Sequence, residues 1–185
     1  MSPIILIVSG PPGARKTTVA RRPASTWGAP AVHVPTDAFY SAILSGYIAP
    51  WLAESHAQNV TVTRAIAAAA SAYAAGGYAV IVDGVVGPWF IDHYREAAAH
   101  AGADLAYVVL RPDRDTAVVR ARDREEVPLA DYPAGLFERF GDLGPYEPYA
   151  IDTTDLDVGA VADLVRNGLA DRRFRLGPLT YSEAP

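Results

Sequence analysis

Five short apolar runs punctuate the chain, at Pro3–Ser9, Ala31–Val34, Tyr78–Asp83, Ala103–Leu110 and Pro148–Asp152. Most are aliphatic or β-branched with no polar alternation, the pattern of parallel strands covered on both faces. The segments between them are long enough for helical crossovers. Helices are predicted at Lys16–Thr26, Ser55–Ala75, Pro88–Ala101, Arg114–Arg124, Ala134–Phe140 and Val158–Ala170. Gly76-Gly77 and Gly102 stop the second and third of these where a left-handed cap is needed. Strands alternating with helices predict an α/β fold with a parallel sheet and right-handed crossovers.

Two regions break this rhythm. Phe39–Leu52 is aromatic and carries Gly46 and Pro50, so a short helix and a loop are expected over the sheet's C-terminal edge. Glu125–Tyr149 holds four prolines and several acids, and reads as a flap with one short helix. The expected organisation is one domain over residues 1–172, with a lid around 120–148, followed by a tail at 173–185. The tail has no periodicity and is expected either on the surface or poorly ordered.

Composition narrows the chemistry. The chain has 185 residues, no cysteine and a formal charge of −5. Disulfides, thiolate catalysis and cysteine-ligated metals are therefore excluded. The acidic balance argues against a protein that coats nucleic acid, without excluding a local anion site. No apolar run approaches a membrane span, and no basic stretch precedes the first apolar run, so a cytoplasmic protein is expected. Neither a heptad nor a self-complementary patch speaks to oligomeric state.

The strongest motif follows the first strand: Gly10-Pro11-Pro12-Gly13-Ala14-Arg15-Lys16-Thr17-Thr18. A buried strand, a glycine-rich turn and then a helix is the layout of a phosphate-binding loop. Lys16 supplies a charge for the terminal phosphates and Thr17 a hydroxyl for Mg²⁺. The usual glycine before the lysine is replaced by Arg15. If that position needs positive φ, a side chain there costs ~1–2 kcal/mol. The guanidinium either fills the cradle or adds a phosphate contact. Pro23 falls in the second turn of the following helix, where an interior proline costs about 3 kcal/mol.

Other candidates cluster at strand ends. Asp37, three residues past the second run, lies at the sheet edge where open α/β sheets bind ligands. It suits either a base for an attacking hydroxyl or a helix N-cap. Asp83 closes the third run before Gly84 and resembles a Mg²⁺-holding carboxylate. Arg120 and Arg124 share a helix face and are placed to neutralise a transferring phosphoryl group, or to form a solvated charged face. Arg111 and Arg139 are lesser candidates. Phe39, Tyr40, Tyr47 and Trp51 either wall an acceptor pocket or cover the sheet edge. Gln58 and Asn59 open the long helix and either reach the same pocket or, as favoured, cap or face solvent; Pro88-Trp89-Phe90 is expected to pack at a helix start. His33, His56, His93 and His100 lack metal-ligand spacing and are read as structural or exposed.

With these residues assembled, the chain resembles the small P-loop kinases grouped around chloramphenicol phosphotransferase and the zeta toxins. The likeness covers nearly all of the chain to about residue 170. It rests on the phosphate loop, on Asp37, on Val82-Asp83-Gly84, on Leu110-Arg111-Pro112 and on Ile151-Asp152-Thr153-Thr154. Gln58-Asn59 and Gly87-Pro88-Trp89-Phe90 extend it. Arg15 and Pro23 depart from it. The resemblance implies a three-layer α/β/α P-loop fold with a five-stranded parallel sheet of order 2-3-1-4-5 and a lid. It implies ATP with Mg²⁺ at Gly10, Gly13, Ala14, Arg15, Lys16, Thr17 and Thr18, with Thr17 and Asp83 at the metal. It further implies phosphorylation of a small molecule's hydroxyl with Asp37 as base. The alternative is a degenerate P-loop protein that binds a nucleotide or anion without transfer. A polynucleotide 5′-kinase ranks last, because no basic groove is evident.

Overall fold

Alternation of side chains along the strands divides the core into two layers, one on each side of a sheet. The computed structural model describes residues 3–22, 30–122 and 134–177. Its strands are β1 (Ile4–Ser9), β2 (Ala31–Pro35), β3 (Ala79–Asp83), β4 (Asp104–Arg111) and β5 (Ala150–Asp152). They form one sheet of order β2-β3-β1-β4-β5, and every pairing is parallel. The five-stranded parallel sheet and its order are those expected from the sequence.

The helices are α1 (Lys16–Ala20), α2 (Thr36–Ser41), α3 (His56–Ala75), α4 (Ile91–His100), α5 (Arg114–Arg122), α6 (Ala134–Gly141) and α7 (Val158–Ala170). Ile5 and Ile7 of β1 face α3 and α4, where Ile66, Ala70, Ile91 and Tyr94 meet them. Leu6 and Val8 face the other way, toward Val19 of α1 and Val161 and Val165 of α7. Alanines at positions 67, 70 and 74 give α3 a flat buried stripe and a close seat on the sheet. A helix–sheet–helix sandwich results, with all strand C-termini at one edge.

Several expectations shift in detail. Pro88–Phe90 is a 3₁₀ turn ahead of α4, with Pro88 in its first turn. Another 3₁₀ turn, Gly144–Tyr149, displaces the start of the fifth strand to Ala150. Gly77 and Gly102 take positive φ after α3 and α4, as the capping argument requires. Pro23 lies outside the described residues, as do Arg124 and much of the expected lid.

The expected surface tail is corrected at its start. Phe174 is fully buried and Leu176 nearly so. Tyr107 N–H donates to the Phe174 carbonyl and Leu176 N–H to the Leu105 carbonyl, and Arg175 bridges antiparallel to Ala106. Arg175 also pairs with Asp104. Below the short β5, the flank of β4 has unpaired backbone groups, and residues 174–176 satisfy them. Periodicity over so few residues carries no signal of this.

Candidate active site

The phosphate loop lies between the end of β1 and α1, and its backbone is the first thing the fold dictates. Gly13 has φ 76, and a Cβ there would meet the Ala117 carbonyl at 2.1 Å, so α5 seats directly on the loop. Arg15 has φ 60 and ψ 28, the left-handed region. The backbone conformation usual for glycine is thus kept with a side chain on it, at a cost of ~1–2 kcal/mol. Lys16 Nζ donates to the Pro11 carbonyl at 3.0 Å, which folds the side chain back over the loop.

Neighbouring strand ends are pinned to this loop. Asp83 pairs in register with Val8, and the Gly84 N–H donates to the Val8 carbonyl. Ser9 Oγ donates to the Val86 carbonyl at 2.7 Å and accepts from the Val86 N–H at 3.0 Å. Tyr107 OH donates to the same carbonyl at 2.7 Å, so its proton is committed while burial raises its pKa. Gly84 lets the segment pass against Thr36, whose Oγ1 would lie 1.8 Å from a Cβ at that position. These contacts set Asp83 beside the loop and bring the start of α2 alongside. The helix begins at Thr36 with Pro35 in the cap position, so Asp37 lies in the first turn and is not the N-cap.

A cavity of about 1160 Å³ opens at this edge. The loop residues Gly13, Arg15, Lys16 and Thr17 line it together with Asp37 and Asp83. Tyr40, Tyr47, Trp51, Trp89, Phe90 and Leu136 line the far end. Burial pushes the Tyr40 phenol up to about 12, with Tyr47 and Asp37 adding to the shift, so it stays a hydrogen-bond donor. The Arg139 guanidinium of α6 lies over the Trp89 ring, 3.4 Å from its centroid, and both side chains line the cavity.

Residues after α2 have no regular structure until Ala53, and side chains of α3 hold them. Gln58 Oε1 accepts from the Ile48 N–H at 2.8 Å and its Nε2 donates to the Ile48 carbonyl at 2.6 Å. Asn59 Nδ2 donates to the Pro50 carbonyl and to Ser55 Oγ, at 2.7 and 2.8 Å. Both residues therefore brace the segment that walls the cavity, and Asn59 also lines it; neither is a cap or a surface residue. Asn59 Oδ1 is buried and has no hydrogen-bond partner among the described residues.

Most of the expected site residues come together, but not all. Gly13, Arg15, Lys16, Thr17, Asp37 and Asp83 line one cavity. Gly10 and Ala14 are buried in the loop's base, and Thr18 is exposed on α1 away from the cavity. Phe39 packs against the core instead of the pocket. Arg120 lies outside the cavity, donating to the carbonyls of Thr153, Thr154 and Leu156 beyond β5. Burial lowers its pKa and Arg15 lowers it further, so the two guanidiniums are electrostatic neighbours. Arg111 bonds the Phe140 and Gly141 carbonyls and pairs with Glu147 at 2.9 Å, tying α6 to the end of β4.

Sequence reasoning missed Trp89 and Ser55 as wall residues, and the strut made by Ser9, Val86 and Tyr107. Ser9 stands just ahead of the loop, a local hint; the partners lie 77 and 21 residues apart in sequence, which no local pattern reports. His33, expected to be structural or exposed, is half-buried and hydrogen-bonds Asp83.

The sequence model of the AAA domain family matches residues 5–139. A comparison with curated protein sequences gives no match. Among solved structures, a sugar kinase from a Janibacter species is similar at 18% identity and TM-score 0.67, over 92% of this chain and 95% of that one. The tunicamycin resistance protein of Deinococcus radiodurans is similar at 18% identity and TM-score 0.66, over 96% and 100%. The APS kinase of Mycobacterium tuberculosis, in complex with AMPPNP and APS, is similar at 19% identity and TM-score 0.66, over 91% and 98%. At these identities the likeness carries the fold alone. With a family match over most of its length and the sheet order and phosphate loop described above, the chain belongs to the AAA domain family and has the fold of the small P-loop kinases.

Proposed function

We propose that this protein is an ATP-dependent phosphotransferase acting on a hydroxyl of a small molecule. One observation carries the reading: Lys16, Thr17, Asp83 and Asp37 line a single cavity beside the phosphate loop. Lys16 and the loop amides suit the β- and γ-phosphates. The Thr17 hydroxyl and Asp83 carboxylate are hard oxygen donors of the kind Mg²⁺ takes, and the metal would neutralise phosphate charge. Asp37 accepts the acceptor's hydroxyl proton as the new O–P bond forms and the bond from the γ-phosphorus to its bridging oxygen breaks, releasing ADP.

Arg120 is anchored outside the cavity, whereas Arg15, Lys16 and Arg139 line it and are the cations among the described residues that suit charge on the transferring group. The aromatic walls favour an acceptor with an apolar face. The APS kinase complex, which holds a nucleotide analogue and a small acceptor together, supports the same division.

Calorimetric titration with Mg-ATP tests the reading. Binding with a dissociation constant below about 1 mM is expected, and no heat at millimolar nucleotide would overturn it. Asp37→Asn should lower transfer by roughly 10²–10⁴-fold while leaving Mg-ATP affinity unchanged. Unchanged transfer would remove Asp37 as the base.

A further inference from the structure

Asp83 is 3% exposed and stands at the end of β3, in register with Val8 on one side and Pro35 on the other. A carboxylate so deep in the protein is costly without partners. Its partner is unusual for an edge strand packed against a core. His33 of β2 pairs in register with Ile81, two residues before Asp83, so His33 and Asp83 project from the same face of the sheet. The imidazole Nε2 lies 2.7 Å from Asp83 Oδ1, and because an ionised carboxylate only accepts, the imidazole is the donor. His33 is half-buried, and it does not line the cavity that Asp83 lines.

Taken together, one oxygen of Asp83 is occupied from behind by a strand residue, and the side chain still borders the phosphate end of the cavity. The loop side of the carboxylate is held by different means: the Gly84 N–H bond to Val8 and the Ser9–Val86 strut fix its backbone. Backbone fixation sets the position of the Asp83 Cα but leaves its χ angles free. The His33 contact fixes one of its two carboxylate oxygens.

On the phosphotransferase reading above, we propose that His33 is the positioning residue for the metal-holding carboxylate. It occupies Oδ1 and thereby presents Oδ2 of Asp83 to a divalent cation bound with the nucleotide. His33 itself touches neither nucleotide nor acceptor. Outer partners of this kind orient ligating carboxylates, and their loss commonly weakens metal affinity by about 10–100-fold.

The test uses Mn²⁺ as the probe in the presence of saturating ADP, with its affinity read by electron paramagnetic resonance. ADP affinity is measured separately in the presence of a chelator. His33→Leu should weaken Mn²⁺ by about tenfold or more and leave metal-free ADP affinity within about twofold. His33→Gln, whose amide can still reach Oδ1 as a donor, should recover most of the loss, whereas the shorter His33→Asn should not. This second pair keeps the test decisive if the leucine variant fails to fold.

Unchanged or tighter Mn²⁺ binding in both His33→Leu and His33→Asn would overturn the proposal. So would an equal loss of metal-free ADP binding, which marks a purely structural histidine. Asp83→Asn separates the levels. If it weakens Mn²⁺ while the His33 variants do not, the positioning role alone fails. If Asp83→Asn has no effect, the metal role of Asp83 fails and the proposal with it. If the unaltered protein binds no ADP at all, the phosphotransferase reading fails as well.

Discussion

The two ends of the cavity are built on opposite principles. Backbone makes the phosphate end: a loop with Gly13 and Arg15 at positive φ, a strand terminus in register with its neighbour, and α5 seated on the loop without room for a Cβ. Side chains make the other end: Gln58 and Asn59 of α3 and Ser55 of the turn before it hold the Ile48 amide and the carbonyls of Ile48, Pro50 and Leu52, and Arg139 lies over Trp89. A backbone-built site tolerates few sequences and keeps one ligand chemistry. A wall held by a few exchangeable side chains can be rebuilt for a new acceptor without disturbing the loop. Ser55 shows how economical such a wall is, its one hydroxyl shared between the Pro50 and Leu52 carbonyls at 2.9 and 2.7 Å.

This contrast can be broken from either side. Lys16→Met removes the charged donor of the phosphate end, and calorimetry should show Mg-ATP binding weakened by about 10–100-fold. Hydrogen exchange over residues 42–55 should be unaffected. Gln58→Leu is the converse: it deletes two bonds to Ile48, worth about 1–3 kcal/mol together. Exchange over that segment should quicken by about tenfold or more, with Mg-ATP affinity unchanged. If Gln58→Leu also weakened Mg-ATP, the two ends would be one cooperative unit and the division would fall.

A smaller effect is expected at Arg15. Arg15→Gly relieves the left-handed penalty of ~1–2 kcal/mol against some loss of chain entropy, so melting should rise by about 2–4 °C. A lower melting temperature would mean that the Arg15 side chain contributes more contact than its backbone strain costs. The smallest effect concerns the Arg111–Glu147 pair, which ties α6 to the end of β4. Arg111 and the Leu143 N–H hold the Glu147 carboxyl below its ordinary 4.5. A depressed folded value stabilises above the unfolded one and is lost as pH falls through the folded one. Glu147→Gln should therefore melt slightly below the unaltered protein at neutral pH, with the gap closing below pH 4.5.

How far the sequence was legible follows the same division. Strand runs, the loop motif, and Asp37 and Asp83 at strand ends are local signals, and the fold brings those residues to one edge. Arg120 misled because a helical spacing says which residues share a face, not what that face meets. Here it meets the carbonyls after β5. Phe174 was read as surface because a lone aromatic near the chain end has no period, and it fills a fully buried place against β4. Gln58 and Asn59 were undervalued because their partners, Ile48 and Pro50, lie in a loop whose path no local rule predicts.

From its residues alone, this chain determined a parallel α/β sheet, a phosphate loop of the right register and two carboxylates at strand C-termini. Apolar runs, glycine positions and strand-to-helix order depend on near neighbours and on the handedness of crossovers. Tertiary structure alone decided that Arg15 keeps the left-handed backbone, that α3 side chains shape the acceptor wall, that Arg139 covers Trp89 and that His33 holds Asp83. Each of these depends on the packing of elements distant in sequence, or on the conformation that such packing imposes. Contacts of that kind exist only once the sheet has closed its register and brought β2, β3 and the loop to one edge.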